Sequence, residues 1–98
     1  MRLSWTAAAR RHRITRADTR FVVEHCGLVF CQPAPAGSPV LDDRLVYLGD
    51  DTNGRALEVV AVEMEAGPGG EQHLGVIHAM ELRGKYRGQY EEARKWRM

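Results

Sequence analysis

Three segments in the middle of the chain cannot hold a helix or a central strand, and they limit the fold to short elements. Residues 32–39 contain three prolines and a glycine, which break both kinds of structure. Residues 50–54 end in Asn53-Gly54, a pair that readily supplies the positive φ of a hairpin turn. Residues 65–73 are rich in glycine and are predicted to be a hairpin connection. The stretches beside these breaks are predicted to be strands: residues 28–31, 44–49, 57–64 and 74–80.

Helical patterns are predicted at both ends of the chain. Ser4 is a predicted N-cap for a short helix over residues 5–11, and Thr15 for a second helix over residues 16–26 that ends at a left-handed Gly27. The sheet-facing side of the second helix is predicted from its spacing to be Ala17, Phe21, Val22 and Cys26. A last helix is predicted from a stripe of apolar residues: Leu82, Tyr86, Tyr90, Ala93 and Trp96.

The predicted fold class is therefore α+β. It consists of short N-terminal helices, a four-stranded and mainly antiparallel sheet, and a C-terminal basic helix. Residues 57–64 are expected in the middle of the sheet, because their centre, residues 59–62, is apolar on both faces. With 98 residues, the chain 1–98 is expected to form a single domain.

Composition predicts a cytoplasmic protein without a metal or cofactor. No apolar run approaches the length of a membrane span, and residues 1–13 are too short and polar for a secretory signal. Cys26 and Cys31 do not have the spacing of zinc ligands, so buried free thiols are the expected state. The adjacent aspartates at residues 42–43 and 50–51 are interpreted as solubilising turn residues.

Charge is segregated along the chain although the net charge is +1. Residues 1–20 hold six arginines and one aspartate, a net charge of +5, and residues 81–98 have a net charge of +3. Residues 21–80 have a net charge of −7. We predict that the two basic ends converge on one side of the sheet and form a cationic patch suited to a polyanion. Solvated helix surfaces are an equally weighted alternative.

Candidate catalytic residues lie in the last quarter of the chain. His78 comes near the end of an apolar strand, where alternation places it on one face with Leu74, Val76 and Met80. Metal-free RNA cleavage moves protons and neutralises a phosphorane, and histidine, arginine, lysine and tyrosine can perform these tasks. The predicted catalytic residues are His78, Arg83, Lys85, Arg87 and Tyr90. A structural histidine and solvated helix cations are the alternatives.

Candidate RNA-binding residues lie at two places. Arg11, His12 and Arg13 precede the Thr15 cap, where cations can join a phosphate site, and a plain linker is the alternative. Tyr86 lies on the apolar stripe of the last helix, where core packing with the hydroxyl at the rim is the default.

Two segments resemble the BrnT-like toxins of bacterial type II toxin–antitoxin systems, relatives of the RelE ribonuclease fold. Arg11-His-Arg-Ile-Thr15 is similar to the family's Lys-His-x-Val-Ser segment. Residues 77–92 are similar to its Ile-Ser-Ala-Arg strand end and the basic helix with Arg-Tyr-Glu-Glu. His78 and Met80 replace the family's serine and arginine, so the cationic role would move to Arg83, Lys85 or Arg87.

The resemblance implies a RelE-like arrangement and a metal-independent endoribonuclease toxin that is neutralised by a cognate antitoxin. Its substrate would be RNA, either free or on the ribosome, and a homodimer is left open. The alternative is a non-catalytic interaction domain, either a ParE-type poison of a protein target or a nucleic-acid-binding module. The missing strand-end arginine, replaced by Met80, favours this alternative.

Overall fold

The computed structural model describes residues 1–6, 9, 13–34, 36–37 and 43–95. Within them the predicted α+β class is confirmed. The elements follow in the order β1 (Arg2–Trp5), α1 (Arg16–His25), β2 (Leu28–Gln32), β3 (Arg44–Asp50), β4 (Ala56–Met64), β5 (His73–Glu81) and α2 (Gly84–Lys95), with a 3₁₀ turn at Pro68–Gly70. Neither helix of the described residues has the length and apolar character needed to cross a bilayer.

The described strands form one mixed sheet in the order β1-β5-β4-β3-β2. Strands β2 to β5 pair antiparallel in sequence order, as their short connections require. Strand β1 pairs parallel to β5, with Leu3 opposite Leu74. The prediction of a four-stranded sheet is therefore wrong, and the strand it lacks is an edge strand from the N-terminus.

The predicted first helix, with Ser4 as its cap, is wrong because residues 2–5 form β1. Leu3 is buried in the core beside α1, and the Ser4 hydroxyl lies 3.0 Å from Nε2 of His73 on the neighbouring strand. The hydroxyl that accepts a hydrogen bond from a backbone N–H three residues later is that of Thr6, not Ser4, and the donor is Ala9. Pairing of residues 2–5 with β5 thus takes the place of the predicted cap and first residue of this helix. Residues 7–8 and 10–12 lie outside the described residues.

Helix α1 begins where its sequence predicts. Thr15 is the N-cap, and its hydroxyl accepts a hydrogen bond from the Asp18 N–H at 3.0 Å. The buried side differs from the prediction: Val22 is buried as expected, but its buried companions are Thr19 and Val23. Thr19 can be buried because its hydroxyl donates to the Thr15 carbonyl at 2.9 Å. The left-handed Gly27 is also wrong, because the helix ends at an extended Cys26.

The two helices lie on opposite faces of the sheet. The first core packs α1 residues Val22 and Val23 against β4 residues such as Val59. The second core packs Tyr86 and Tyr90 of α2 against the other face. The predicted convergence of both basic ends on one side is therefore wrong within the described residues. Its physical reason is β4, whose two faces are both apolar, so that each face needs its own cover.

A β-bulge in β5 reverses the predicted alternation at its end. Val60 pairs with His78, whereas Ala61 pairs with Val76, so Ile77 is an extra residue. Before the bulge, Val76 lies in the core beside α1. After it, His78 is opposite Val60, which belongs to the core beside α2. The prediction that His78 shares a face with Leu74 and Val76 is wrong, and the bulge is what turns His78 toward α2.

Candidate active site

A buried carboxylate organises the α2 face of the sheet. Glu58 lies in β4 opposite Leu48 of the core beside α2, and its side chain has no exposed surface. One carboxylate oxygen, Oε2, lies 3.2 Å from Nε2 of His78. The other, Oε1, accepts a hydrogen bond from the backbone N–H of Arg83 at 2.8 Å. Glu58 therefore holds the end of β5 and the residue that precedes α2.

The guanidinium of Arg83 completes the neutralisation of Glu58. Its Nε–H donates to both carboxylate oxygens at 3.1 and 3.0 Å, and Nη2 donates to Oε2 at 2.7 Å. Hydrogen bonds of this forked kind are among the strongest between side chains. We name Glu58, His78 and Arg83 the buried-glutamate cluster.

Electrostatics keep Glu58 ionised despite its burial. Burial by itself raises the pKa of Glu58. The hydrogen bonds from the Arg83 side chain and backbone and the charges of Arg83 and His78 lower the pKa by more than burial raises it, so the pKa of Glu58 lies below its ordinary value. Hydrogen bonding to Glu58 raises the pKa of Arg83. An ionised carboxylate only accepts hydrogen bonds, so the His78 nitrogen that faces it, Nε2, carries a proton. In neutral His78 the basic nitrogen is therefore Nδ1.

Because the pKa of Glu58 is lowered in the folded chain, the free energy of unfolding should depend on pH. The contribution of a carboxylate with a lowered folded pKa is present above its ordinary value, 4.5 for Glu58, and is lost as the pH falls from there through the folded pKa. We expect the free energy of unfolding of wild type to approach that of Glu58→Gln between about pH 5 and pH 3. Urea denaturation of both proteins at each pH measures this. Asp51, whose pKa is lowered first by the Arg55 backbone hydrogen bond, is common to both proteins. If the difference in free energy of unfolding between the two proteins stays constant over this pH range, the ionisation of Glu58 does not contribute to stability.

The cluster borders a cavity of about 240 Å³ on the α2 face. Val60 and Ile77 supply its apolar wall, and the remaining lining is polar or basic: Gln32, Arg44, His78, Arg83, Lys85 and Tyr86. His78 is 23% exposed and Arg83 is 40% exposed, so both are partly accessible. A larger groove of about 480 Å³ lies beside Leu28 and Ala93, but no histidine or cation among the described residues lines it. The 240 Å³ cavity is therefore the candidate active site.

Tyr86 supports the cavity from beneath. Its hydroxyl donates to Oε1 of Gln32 at 2.8 Å. The Lys85 ammonium lies 4.8 Å from the centre of its ring, the guanidinium carbon of Arg83 lies 5.9 Å away, and Phe30 meets the ring edge-on. These cations are held over an aromatic face, which favours them electrostatically. Tyr86 thus positions its neighbours, and its ring is already covered by protein groups.

The structure brings some of the predicted site residues together and separates others. His78, Arg83, Lys85 and Tyr86 all line the cavity. Arg87 lies outside its lining, is mostly exposed and pairs with Glu91 at 3.7 Å. The remaining predicted site residues are Tyr90, Arg11, His12 and Arg13.

Tyr90 lies one helical turn beyond Tyr86, where its buried hydroxyl donates to Asp50. Burial and the hydrogen bond to Asp50 raise the pKa of Tyr90. Arg13 is exposed and precedes Ile14, which packs in the core beside α1, on the opposite side of the sheet from the cavity. Arg11 and His12 lie outside the described residues.

Three residues of the site escaped the sequence-based prediction: Glu58, Gln32 and Arg44. The signal for Glu58 is a carboxylate directly before the apolar run of residues 59–62, where a buried acid needs a buried partner. Gln32 and Arg44 lie on either side of the proline-rich break. They are directly opposite each other in the antiparallel pairing of β2 and β3. Their proximity follows from the hairpin register, which the sequence of the intervening loop does not reveal.

Among the described residues, no three His, Cys, Asp or Glu side chains are grouped so that they could hold a metal ion. Comparison of the sequence with protein-family models finds no matching family, and comparison with curated proteins finds no matching relative.

Proposed function

We propose that this chain is a metal-independent endoribonuclease whose active site is the cavity beside the buried-glutamate cluster. The observation that carries the proposal is the pairing of Glu58 with both His78 and Arg83 at a cavity that Lys85 and Arg44 also line. A histidine oriented by a carboxylate, together with fixed cations, is the equipment that metal-free phosphodiester cleavage needs.

His78 acts as the general base in the proposed reaction. The ribose 2′-hydroxyl transfers its proton to Nδ1 of His78 as the 2′-oxygen forms a bond to phosphorus. Glu58 is a positioning residue: it accepts the Nε2–H hydrogen bond, fixes the imidazole tautomer and stabilises the imidazolium that forms.

Cations of the cavity stabilise the phosphorane. Arg83 is held by Glu58 and Lys85 lies over the Tyr86 ring, so both are oriented before substrate binds. The bond from phosphorus to the 5′-oxygen then breaks, and the departing oxygen takes a proton from the Lys85 ammonium. The products are a 2′,3′-cyclic phosphate and a 5′-hydroxyl, without a metal-bound water.

We further propose that the chain is the toxin of a toxin–antitoxin pair, as the resemblance of residues 11–15 and 77–92 to BrnT-like toxins implies. Five residues of the second segment line the cavity: Ile77, His78, Arg83, Lys85 and Tyr86. The cognate antitoxin would be a protein that neutralises the enzyme, and the cytoplasm, where RNA is present free and on ribosomes, would be its compartment.

The test is cleavage of a defined RNA by the purified chain in the presence of a metal chelator. We expect cleavage of the RNA and no cleavage of the same oligonucleotide when it carries 2′-deoxyribose throughout, because the nucleophile is the 2′-hydroxyl. Cleavage of both oligonucleotides would contradict the mechanism. RNA binding without cleavage would instead support the non-catalytic interaction domain.

A further inference from the structure

We propose that RNA bound in the cavity continues as a single strand over the α2 face of the sheet, where Met64 contacts a base and Arg2 binds a phosphate. The inference rests on the proposed function, because it takes RNA as the ligand of the cavity. It concerns the corner of the sheet that is formed by the end of β4, the start of β5 and the edge strand β1.

Three residues of this corner form one row across the sheet. Met64 in β4 pairs with His73 in β5, and His73 pairs with Arg2 in β1. We name Met64, His73 and Arg2 the corner row. The row lies on the α2 face, because the next residues along β1 and β5, Leu3 and Leu74, point into the core beside α1.

Two contacts agree with this face and distinguish the members of the row. The Ser4 hydroxyl lies 3.0 Å from Nε2 of His73, so His73 is held by a protein group and is assigned no contact with RNA. The Sδ atom of Met64 lies 3.1 Å from the position that a Cβ would take at Gly75, so the glycine makes room for the thioether on the sheet. Met64 is nevertheless 47% exposed. Thioethers contact aromatic rings favourably, and a nucleobase offers such a ring.

The guanidinium of Arg2 is available to a ligand. Arg2 is exposed, and within the described part of the chain its side chain takes part in no hydrogen bond or ion pair. The carboxylate of Glu71, from the turn before β5, is already paired with the amino group of Met1 at 3.4 Å. The positive charge of Arg2 can therefore bind a phosphate through the charge-assisted hydrogen bonds that a guanidinium forms with this group.

The corner row is continuous with the cavity along β4. His78, which lines the cavity, pairs with Val60, and Met64 lies four residues further along the same strand. At about 3.4 Å per residue, the row lies roughly 14 Å from His78. A stacked strand with a rise of about 3.4 Å covers this distance in about four nucleotides, and an extended strand needs fewer. Cations therefore attract phosphates at both ends of the path, Arg83 and Lys85 at the cavity and Arg2 at the corner.

Binding of an RNA of eight nucleotides, compared with a dinucleotide that is too short to reach the corner row, tests the inference. Both carry 2′-O-methyl groups throughout, which block the nucleophile, and isothermal titration calorimetry at several salt concentrations measures their affinities. Arg2→Gln should bind the longer RNA about two- to tenfold more weakly than wild type, the loss expected for one hydrogen-bonded contact. The slope of log K against log salt should become shallower by about 0.7, because one phosphate contact is lost. Binding of the dinucleotide should not change.

Matched variants separate the corner row from a general loss of charge or apolar surface. Arg13→Gln removes an exposed positive charge on the α1 side of the sheet, and salt screens such a distant charge, so both affinities should persist. Met64→Ala should weaken binding of the longer RNA without changing the salt slope. Val29→Ala, which shortens an exposed apolar side chain on the α1 face, should leave the affinity unchanged.

The inference is overturned if Arg2→Gln binds the longer RNA as tightly as wild type, or if Arg13→Gln weakens that binding equally. Its failure can be distinguished from failure of the proposed function. A chain that binds the longer RNA through Arg2 and Met64 but does not cut RNA would keep the binding path and lose the ribonuclease. Cleavage of RNA by a chain whose affinity for the longer RNA is independent of Arg2 would keep the ribonuclease and remove the path.

Discussion

Replacing His78 with alanine is expected to lower the rate of RNA cleavage by about 10²–10⁴-fold, the usual contribution of a general acid or base. The effect is large because the imidazole is the group that accepts the 2′-hydroxyl proton at the cavity. The orientation of the imidazole is set by Glu58, whose Oε2 atom lies 3.2 Å from Nε2 of His78. The measurement is single-turnover cleavage of a defined RNA in chelator, accompanied by a melting curve of each protein.

A second histidine on the same strand supplies the control. His73 pairs with Ser4 at the far end of β5 and does not line the cavity, so His73→Ala should cleave RNA at the wild-type rate. If His78→Ala is folded and cuts RNA as fast as wild type, the general-base assignment is wrong. If His78→Ala does not fold, His78→Gln, which keeps a polar side chain near Glu58, is the variant to assay.

Replacing Glu58 with alanine is expected to lower the free energy of unfolding by about 3 kcal/mol. Removing one member of a buried ion pair costs about 3–5 kcal/mol, because it leaves the partner charge buried. The lower end applies here, since Arg83 is 40% exposed and water can reach its guanidinium. The Arg83 backbone N–H also loses its acceptor. Urea denaturation at pH 7 measures the change.

Glu63 provides the matched control for this measurement. It lies on the same strand, β4, but is exposed, so Glu63→Ala should change the free energy of unfolding by less than about 0.5 kcal/mol. Equal effects of the two substitutions would mean that the buried-glutamate cluster adds nothing to stability beyond an ordinary surface glutamate.

Local signals predicted those parts of the fold that local interactions determine. Proline and glycine breaks delimit strands β2 to β5 to within one or two residues, and Asp50 and Ala56 pair beside a Gly54 with φ of +80°. The Thr15 cap and the burial of Tyr86 and Tyr90 also follow from local pattern.

Tertiary interactions determined the parts that the sequence did not reveal. The N-terminal strand depends on an open edge of β5, and residues 2–5 carry no period that distinguishes a strand from a short helix. The face of His78 depends on one extra residue, Ile77, in the pairing of β4 and β5. Opposite faces for the two helices follow from a strand that is apolar on both sides.

In the candidate site, too, residues that are close in sequence could be predicted and residues that only the fold brings together could not. His78, Arg83, Lys85 and Tyr86 are close in sequence and were predicted together. Glu58, which lies 20 residues from His78 and 25 from Arg83 in sequence, was missed because no local pattern connects a carboxylate in β4 to the end of β5. Arg87 and Tyr90 were included because they share the helix, although helical geometry turns them away from the cavity.

The most direct test of the account is the chemical state of the RNA ends that the wild-type chain produces in chelator, read by mass spectrometry. We expect a 2′,3′-cyclic phosphate on one fragment and a 5′-hydroxyl on the other, because the 2′-oxygen attacks phosphorus and the 5′-oxygen departs. RNA that stays intact, or fragments that carry a 3′-hydroxyl and a 5′-phosphate, would contradict it.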